Sequence, residues 1–266
     1  MKKLMGTVMA AGLLLGSASA FAEVKTGIQL LEAGDVKGSV DAFQKAYDNG
    51  DADGAFYIGR LFELGLGTDK DERRAAQLFA AAAAKGSARA QNRLGLMHLN
   101  GEILLQDYAK AYELICAAAD AGDADGQFNC GMLHKTGKGT PLDESKAAAY
   151  WQEAAKQSHV AAINLLAKAY QDGAGVEADP EQAVALFEQT ASAGNPMALF
   201  ELAKAYVHGT GTAQDQVKAY AYANLAAVRG MEGAAELREN LEGKLSAEEL
   251  SQAQQVSREW KATPLP

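Results

Sequence analysis

Two periods run through residues 51–230. Locally, apolar positions fall three and four residues apart, as at Ala90, Leu94, Met97 and His98, and then at Ala111, Ile115, Ala118 and Ala119; this spacing draws one face of an amphipathic helix. On a longer scale the pattern returns every 36 residues, marked by Gly50, Gly86, Gly122, Gly194 and Gly230, with Ser158 in the remaining place. Ala75, Ala111, Ala147, Ala183 and Ala219 share a column, as do Ala83, Ala119, Ala155, Ala191 and Ala227, and as do Gly65, Gly101, Gly137, Gly173 and Gly209. The chain therefore divides into units 51–86, 87–122, 123–158, 159–194 and 195–230, each predicted to be helix A, turn, helix B.

Glycine pairs mark the turn in "GLG", "GKG", "GAG" and "GTG", where positive φ costs nothing without a Cβ. Asp69, Asp143 and Asp179 fall near the start of helix B, where a carboxylate meets the positive end of the helix dipole. The second unit reads "GEI" and puts Ile103 in the second glycine column, so its turn is expected to differ in shape. Small residues at fixed columns let helices approach, and Phe79, Leu94, Trp151 and Phe187 interlock between them. No unit encloses a core alone, so burial must come from stacking neighbours. The predicted fold is all-α, a right-handed superhelical α/α solenoid. Residues 23–50 keep the helix B pattern through Val40, Phe43 and Tyr47 and read as an N-terminal tetratricopeptide-like capping hairpin. Residues 231–266 read as C-terminal capping helices and tail, with Ser246 and Glu249 at capping-box spacing.

The stretches "ARAQNRLGLMHLNG", "AAAYWQEAA" and "DPEQAVALFEQTASAG" resemble the Sel-1-like repeats, relatives of the tetratricopeptide repeat. The resemblance covers residues 51–230 in unbroken register. It implies a protein-interaction scaffold, adaptor or regulator of the kind found in envelope assembly, signalling and host interaction.

Composition adds location and excludes partners. "MKK" followed by "LMGTVMAAGLLLGSASAFA" has the basic start, apolar centre and small-residue end of a secretory signal peptide over residues 1–22. Cleavage is expected after Ala20-Phe21-Ala22, with Ala18-Ser19-Ala20 as the alternative, and no cysteine follows either point to carry lipid. A periplasmic or secreted monomer is expected, with no membrane insertion after cleavage. Loss of Lys2 and Lys3 takes the net charge from −9 to about −11. Such an acidic body, with no dense basic cluster, does not suit nucleic acid.

Catalytic signatures are absent. No serine is followed three residues later by lysine, and no G-x-S-x-G elbow, H-E-x-x-H helix or Walker-type loop occurs. Catalytic residues, cofactors and resident metals are all expected to be none. His98 and His134 share a column with Phe62, Tyr170 and Tyr206, so imidazole is read as filling an aromatic slot. The sharper alternative takes Cys116, Cys130 and His134 as soft metal ligands, since Cys130 and His134 lie four apart on one helix face. Cys116 and Cys130 also flank a predicted hairpin whose turn lies near Gly122. Some Sel-1-like proteins carry a disulfide across this kind of hairpin, closer to the turn, and export favours the bond. Against it, Cys116 shares a column with Gln152, Glu188 and Asn224, which suggests that it points partly to solvent. Both readings stand at this point.

The second face of helix A collects aromatic and basic groups. One column runs Phe56, Asn92, Phe128, Asn164, Phe200 and the next Arg60, Leu96, Met132, Lys168, Lys204, with Arg93 and Lys135 nearby. In related solenoids this face lines a concave groove. Phe56, Arg60, Arg93, Phe128, Met132, Lys135, Lys168, Phe200 and Lys204 are therefore the candidate partner-binding residues, suited to a protein or peptide and in particular to an acidic segment. The competing account packs the phenylalanines between neighbouring A helices. A reading from a different class, an envelope hydrolase or cell-wall-binding protein of β-lactamase type, rests on cysteine-containing relatives described so; the missing serine-lysine pair opposes it.

Overall fold

A computed structural model describes residues 22–265, all of whose regular structure is helical. The signal-peptide expectation lies almost wholly on residues outside this range. The chain divides into two compact units between Pro141 and Leu142. The first holds α1 (residues 22–32), α2 (Val36–Asp48), α3 (Asp53–Leu64), α4 (Glu72–Ala84), α5 (Ala88–Asn100), α6 (Tyr108–Asp120) and α7 (Ala124–Thr136). The second holds α8 (Glu144–Lys156), α9 (Val160–Asp172), α10 (Pro180–Ser192), α11 (Pro196–His208), α12 (Gln216–Ala227), α13 (Ala234–Glu242) and α14 (Ala247–Glu259). Within each unit, consecutive helices from α2 to α7 and from α8 to α13 pack on one another, and α14 packs back on α12, which makes the fold an α/α solenoid of helix-turn-helix repeats.

The starts of α4 to α12 are written into two columns. Asp35, Asp71, Asp107, Asp143, Asp179 and Asp215 cap the B-type helices, each accepting a backbone N–H three residues on at 2.9 to 3.0 Å. Asp143 and Asp179 are thus caps, whereas Asp69 lies near the start of α4 and Asp71 caps it. Ser87, Asp123, His159 and Asn195 cap α5, α7, α9 and α11, so His159 serves as an acceptor through Nδ1. Helices α3, α5, α7, α9 and α11 end on left-handed glycines Gly65, Gly101, Gly137, Gly173 and Gly209.

The turn's second glycine answers to a close approach as well as to φ. Gly139 has φ of 74°, and a Cβ there would come within 2.0 Å of the Tyr108 carbonyl oxygen at the start of α6. Gly175 stands in the same way over Glu144, and Gly211 over Pro180. Ile103 occupies this column in the second repeat and is absent from the positive-φ residues, among which, in the described residues, Ser158 is the lone non-glycine at 60°. The expected difference in turn shape is thus real. Ile103 leans on the core around Phe79 and Met97.

Burial follows the columns with one shift. Ala75, Ala111, Ala147, Ala183 and Ala219 are all buried, and large side chains interlock at Phe79, Ile115, Trp151 and Phe187. The second alanine column is only partly buried, since Ala83, Ala155 and Ala227 are half-exposed. Its neighbour one residue earlier, Ala82, Ala118, Ala154, Thr190 and Ala226, is fully enclosed. Beyond the repeats, Phe43 closes the start of the first unit against Ile58 and Leu61, and Leu241 and Ala253 close the end of the second against Tyr206 and Tyr220.

Candidate functional site

The A-type helices α3, α5 and α7 of the first unit line a cleft of about 270 Å³. Phe56 and Arg60 come from α3, Arg89, Asn92, Arg93 and Leu96 from α5, and Asp123, Asp125 and Asn129 from α7 and its cap. Residues one repeat apart meet here because each A helix stacks beside the next. Three of the predicted groove residues, Phe56, Arg60 and Arg93, are brought together. Phe128, Met132 and Lys135 of α7 are not lining residues of this cleft; Asn129 takes that place. Lys168, Phe200 and Lys204 belong to the second unit and are described there.

The cations are held by internal acids. Arg60 and Arg93 both converge on Glu63, a buried carboxylate whose Oε1 accepts from Arg93 Nε at 2.6 Å. Arg89 pairs with Asp53, which also accepts from Ser87 Oγ at 2.6 Å. A basic strip free for a partner is therefore not what the first unit presents. A guanidinium has five N–H donors, however, and one fixed by a buried carboxylate still has N–H groups to offer. Burial raises the carboxyl of Asp123 above its ordinary value, and Asp125 and Asp53 push it the same way, while the Gly126 amide and Arg89 oppose them. Asp51 is raised as well, again chiefly by burial. The cleft thus has a guanidinium side and a carboxylate side.

The alternating column separates into two jobs. Asn92 and Asn164 are buried. Asn92 accepts from Asn129 at 3.0 Å, tying α5 to α7, and Asn164 accepts from Thr190 of α10 at 2.6 Å. The phenylalanines stay half-buried: Phe56 tilts against Phe79 at 5.6 Å between ring centroids, so part of that ring belongs to the core. In the second unit, Lys204 reaches buried Glu201 at 2.7 Å and lies 5.0 Å over the Phe200 ring, and Gly233 sits against the same ring. Lys168 bonds Gln171 at 2.7 Å.

Sequence reading missed Arg89, Asp123, Asp125 and Asn129. The signal was present, since Arg89 and Asp125 stand four residues before Arg93 and Asn129, one helical turn along the same face.

Cys116 of α6 and Cys130 of α7 are joined in a disulfide with Cα atoms 5.1 Å apart. Cys116 is buried, which corrects the expectation that it points partly to solvent. Gln152 and Glu188 are exposed at this column, whereas the disulfide turns Cys116 toward α7. His134 is buried beside the pair, edge-on to Tyr112 at 5.6 Å, in the aromatic slot expected for it. His98, in the same column, instead places Nδ1 3.2 Å from the Leu105 carbonyl oxygen. Among the described residues no helix is long and apolar enough to cross a membrane.

Comparison with known proteins follows the repeat columns. The Sel1 repeat profile matches residues 52–87, 88–123, 124–159, 160–195 and 196–230, one residue out of step with the sequence-derived units. A Sel1 repeat protein from Oxalobacter formigenes shares the fold with a TM-score of 0.73 and 24% identity, over 91% of this chain and 99% of that one. The c5321 protective antigen of uropathogenic Escherichia coli, described as displaying an SLR fold, gives 0.58 and 24%, over 91% of this chain and 60% of that one. PilF of Pseudomonas aeruginosa gives 0.56 and 16%, over 86% and 99%. No curated protein matches the chain. Five tandem profile matches, set on the same helices that carry the capping aspartates and turn glycines, establish that the chain belongs to the Sel1 repeat family.

Proposed function

We propose that the protein is a non-enzymatic adaptor of the periplasm or of secretions, which holds a segment of a partner protein in the cleft of α3, α5 and α7. The cleft itself carries this reading. Its walls come from three successive repeats, so that a segment laid across them meets side chains of α3, α5 and α7 at once. Apolar surface at Phe56 and Leu96 lies between charged groups whose own pairings fix their positions. A partner segment that sets an acidic residue against Arg60 and Arg93, and a basic one toward Asp123 and Asp125, meets complementary charge on both sides. The acidic-segment preference is thereby kept for one side of the cleft. Phe128, Met132 and Lys135 on α7 belong to the same proposal in the first unit, and Lys168, Phe200 and Lys204 are a separate candidate face on α9 and α11 of the second. The periplasmic or secreted location rests on the leader pattern of residues 1–22.

Site-specific photocrosslinking in intact cells tests this. A photoreactive residue in place of Leu96 should give a discrete crosslinked species, lost when Asp125 is changed to Lys, while the same probe at the exposed Glu153 of α8 gives none. Equal crosslinking from both positions would overturn the cleft as the site. Release of the protein on outer-membrane permeabilisation checks location, and turnover of a chromogenic β-lactam would reinstate the hydrolase reading.

A further inference from the structure

Helices α6 and α7 assemble a second constellation that the binding reading does not use. The sulfurs of Cys116 and Cys130 and a ring nitrogen of His134 all lie within 4.8 Å of one another, and all three residues are buried. Phe62, Tyr170 and Tyr206 fill the same column with rings that lack a ligating nitrogen, and the other histidine there, His98, turns its Nδ1 to the Leu105 carbonyl oxygen, whereas His134 is the one that stands beside a cysteine pair. Cys130 and His134 stand one helical turn apart on one face of α7, and Cys116 faces them from α6.

We propose that these three residues form a redox-gated site for a soft monovalent cation, Cu(I). In the disulfide the sulfurs are bonded to each other and the site is closed. A small dithiol opens it: one of its thiolates attacks Cys116 Sγ, the sulfur on the residue that keeps some surface, and expels Cys130 as thiolate. The dithiol's second sulfur then displaces Cys116 and leaves as a cyclic disulfide. Two electrons have passed to the cysteines, and the dithiol's two protons end on them or in solvent. Copper binding removes the remaining thiol protons, since the thiolate is the ligand.

The donor set selects the ion. Thiolates favour Cu(I), and two sulfurs with one imidazole nitrogen fill its low coordination number. Structural zinc sites almost always take four ligands, and among the described residues the cluster offers three.

The test uses the purified chain, oxidised or reduced with a phosphine that is then removed, titrated anaerobically with Cu(I) against a chromogenic Cu(I) chelator. The reduced chain should take one Cu(I) with a thiolate-to-copper charge-transfer band, and the oxidised chain none. His134→Phe restores the ring type of the first repeat while removing the nitrogen, so it should fold and bind at least about tenfold more weakly. If its far-ultraviolet dichroism shows misfolding, His134→Tyr, matching the fourth and fifth repeats, takes its place. Equal uptake by the reduced wild type and a folded C116S/C130S variant would overturn the site. Unchanged affinity in the folded His134 variant would overturn the three-ligand set, and displacement of Cu(I) by equimolar Zn(II) would overturn the choice of ion.

Discussion

The turn at Gly101 and the turn at Gly137 begin alike and then part. Both open on a left-handed glycine that caps an A helix. In the third repeat the next glycine, Gly139, lays the chain on the first carbonyl of α6, whereas in the second repeat Ile103 carries a side chain and ordinary φ. A small notch of about 50 Å³ lies beside Ile103, lined also by Glu72, Met97, Asn100 and Glu102 and by Glu63 and Arg93. Glu63 and Arg93 are the ion pair that also organises the cleft. The turn that carries Ile103 in place of the second glycine therefore sits against the polar centre of the candidate site.

The largest effect should come from breaking a regular turn. Gly139→Val combines a left-handed φ with a collision against the Tyr108 carbonyl and should cost about 3 kcal/mol, read as a lowered midpoint in urea unfolding. Ile103→Val, in contrast, should cost about 1 kcal/mol, the loss of one partly buried methylene. Similar losses at the two positions would erase the distinction between the two turns.

Next in size is the charge centre. Arg60→Ala with Arg93→Ala strips the buried Glu63 of both partners and should cost about 2–3 kcal/mol, less than a wholly buried pair because both guanidiniums are partly exposed. Glu63→Gln releases those guanidiniums to water and should cost less than half as much. The two variants, compared by thermal melting, sharpen the view that the acid and not the bases is the buried element. A greater loss from Glu63→Gln would reverse it.

Much of this was legible in the chain. Period, cap column and turn glycines are backbone requirements that repeat in register, so the alignment of a chain with itself exposes them. The pairing of Arg60 with Glu63 three residues on could be read as a helical neighbour, but that of Arg93 could not, because Glu63 lies 30 residues from it, in the neighbouring repeat, and its column holds Leu99, Lys135, Gln171 and Val207 elsewhere. A contact made once cannot be read from periodicity. The same holds for Cys116, whose column suggests solvent and whose bond dictates burial.

The smallest effect tests the remaining break in the glycine pattern. Ser158 holds φ of 60° where other repeats place glycine, and Ser158→Gly should raise stability by about 0.5–1 kcal/mol, the left-handed penalty less the extra entropy of glycine. A chemical-denaturation difference of the opposite sign would show that the hydroxyl's own contacts outweigh backbone strain.

Repeat arrays come apart piecemeal, since each unit is held only by its neighbours and terminal units fray first. The Cys116–Cys130 bond closes a separation of 14 residues between the second repeat and the third, a constraint worth about 3 kcal/mol against the unfolded chain. The bond stabilises those two helices against opening, so fraying that starts at α1 is expected to slow at α6. Asp123, Asp125 and Asn129 ride on the clamped helix. The oxidation state of one bond thus sets how often a wall of the cleft breathes, and amide exchange along α7 should quicken on reduction while that along α2 stays as it was.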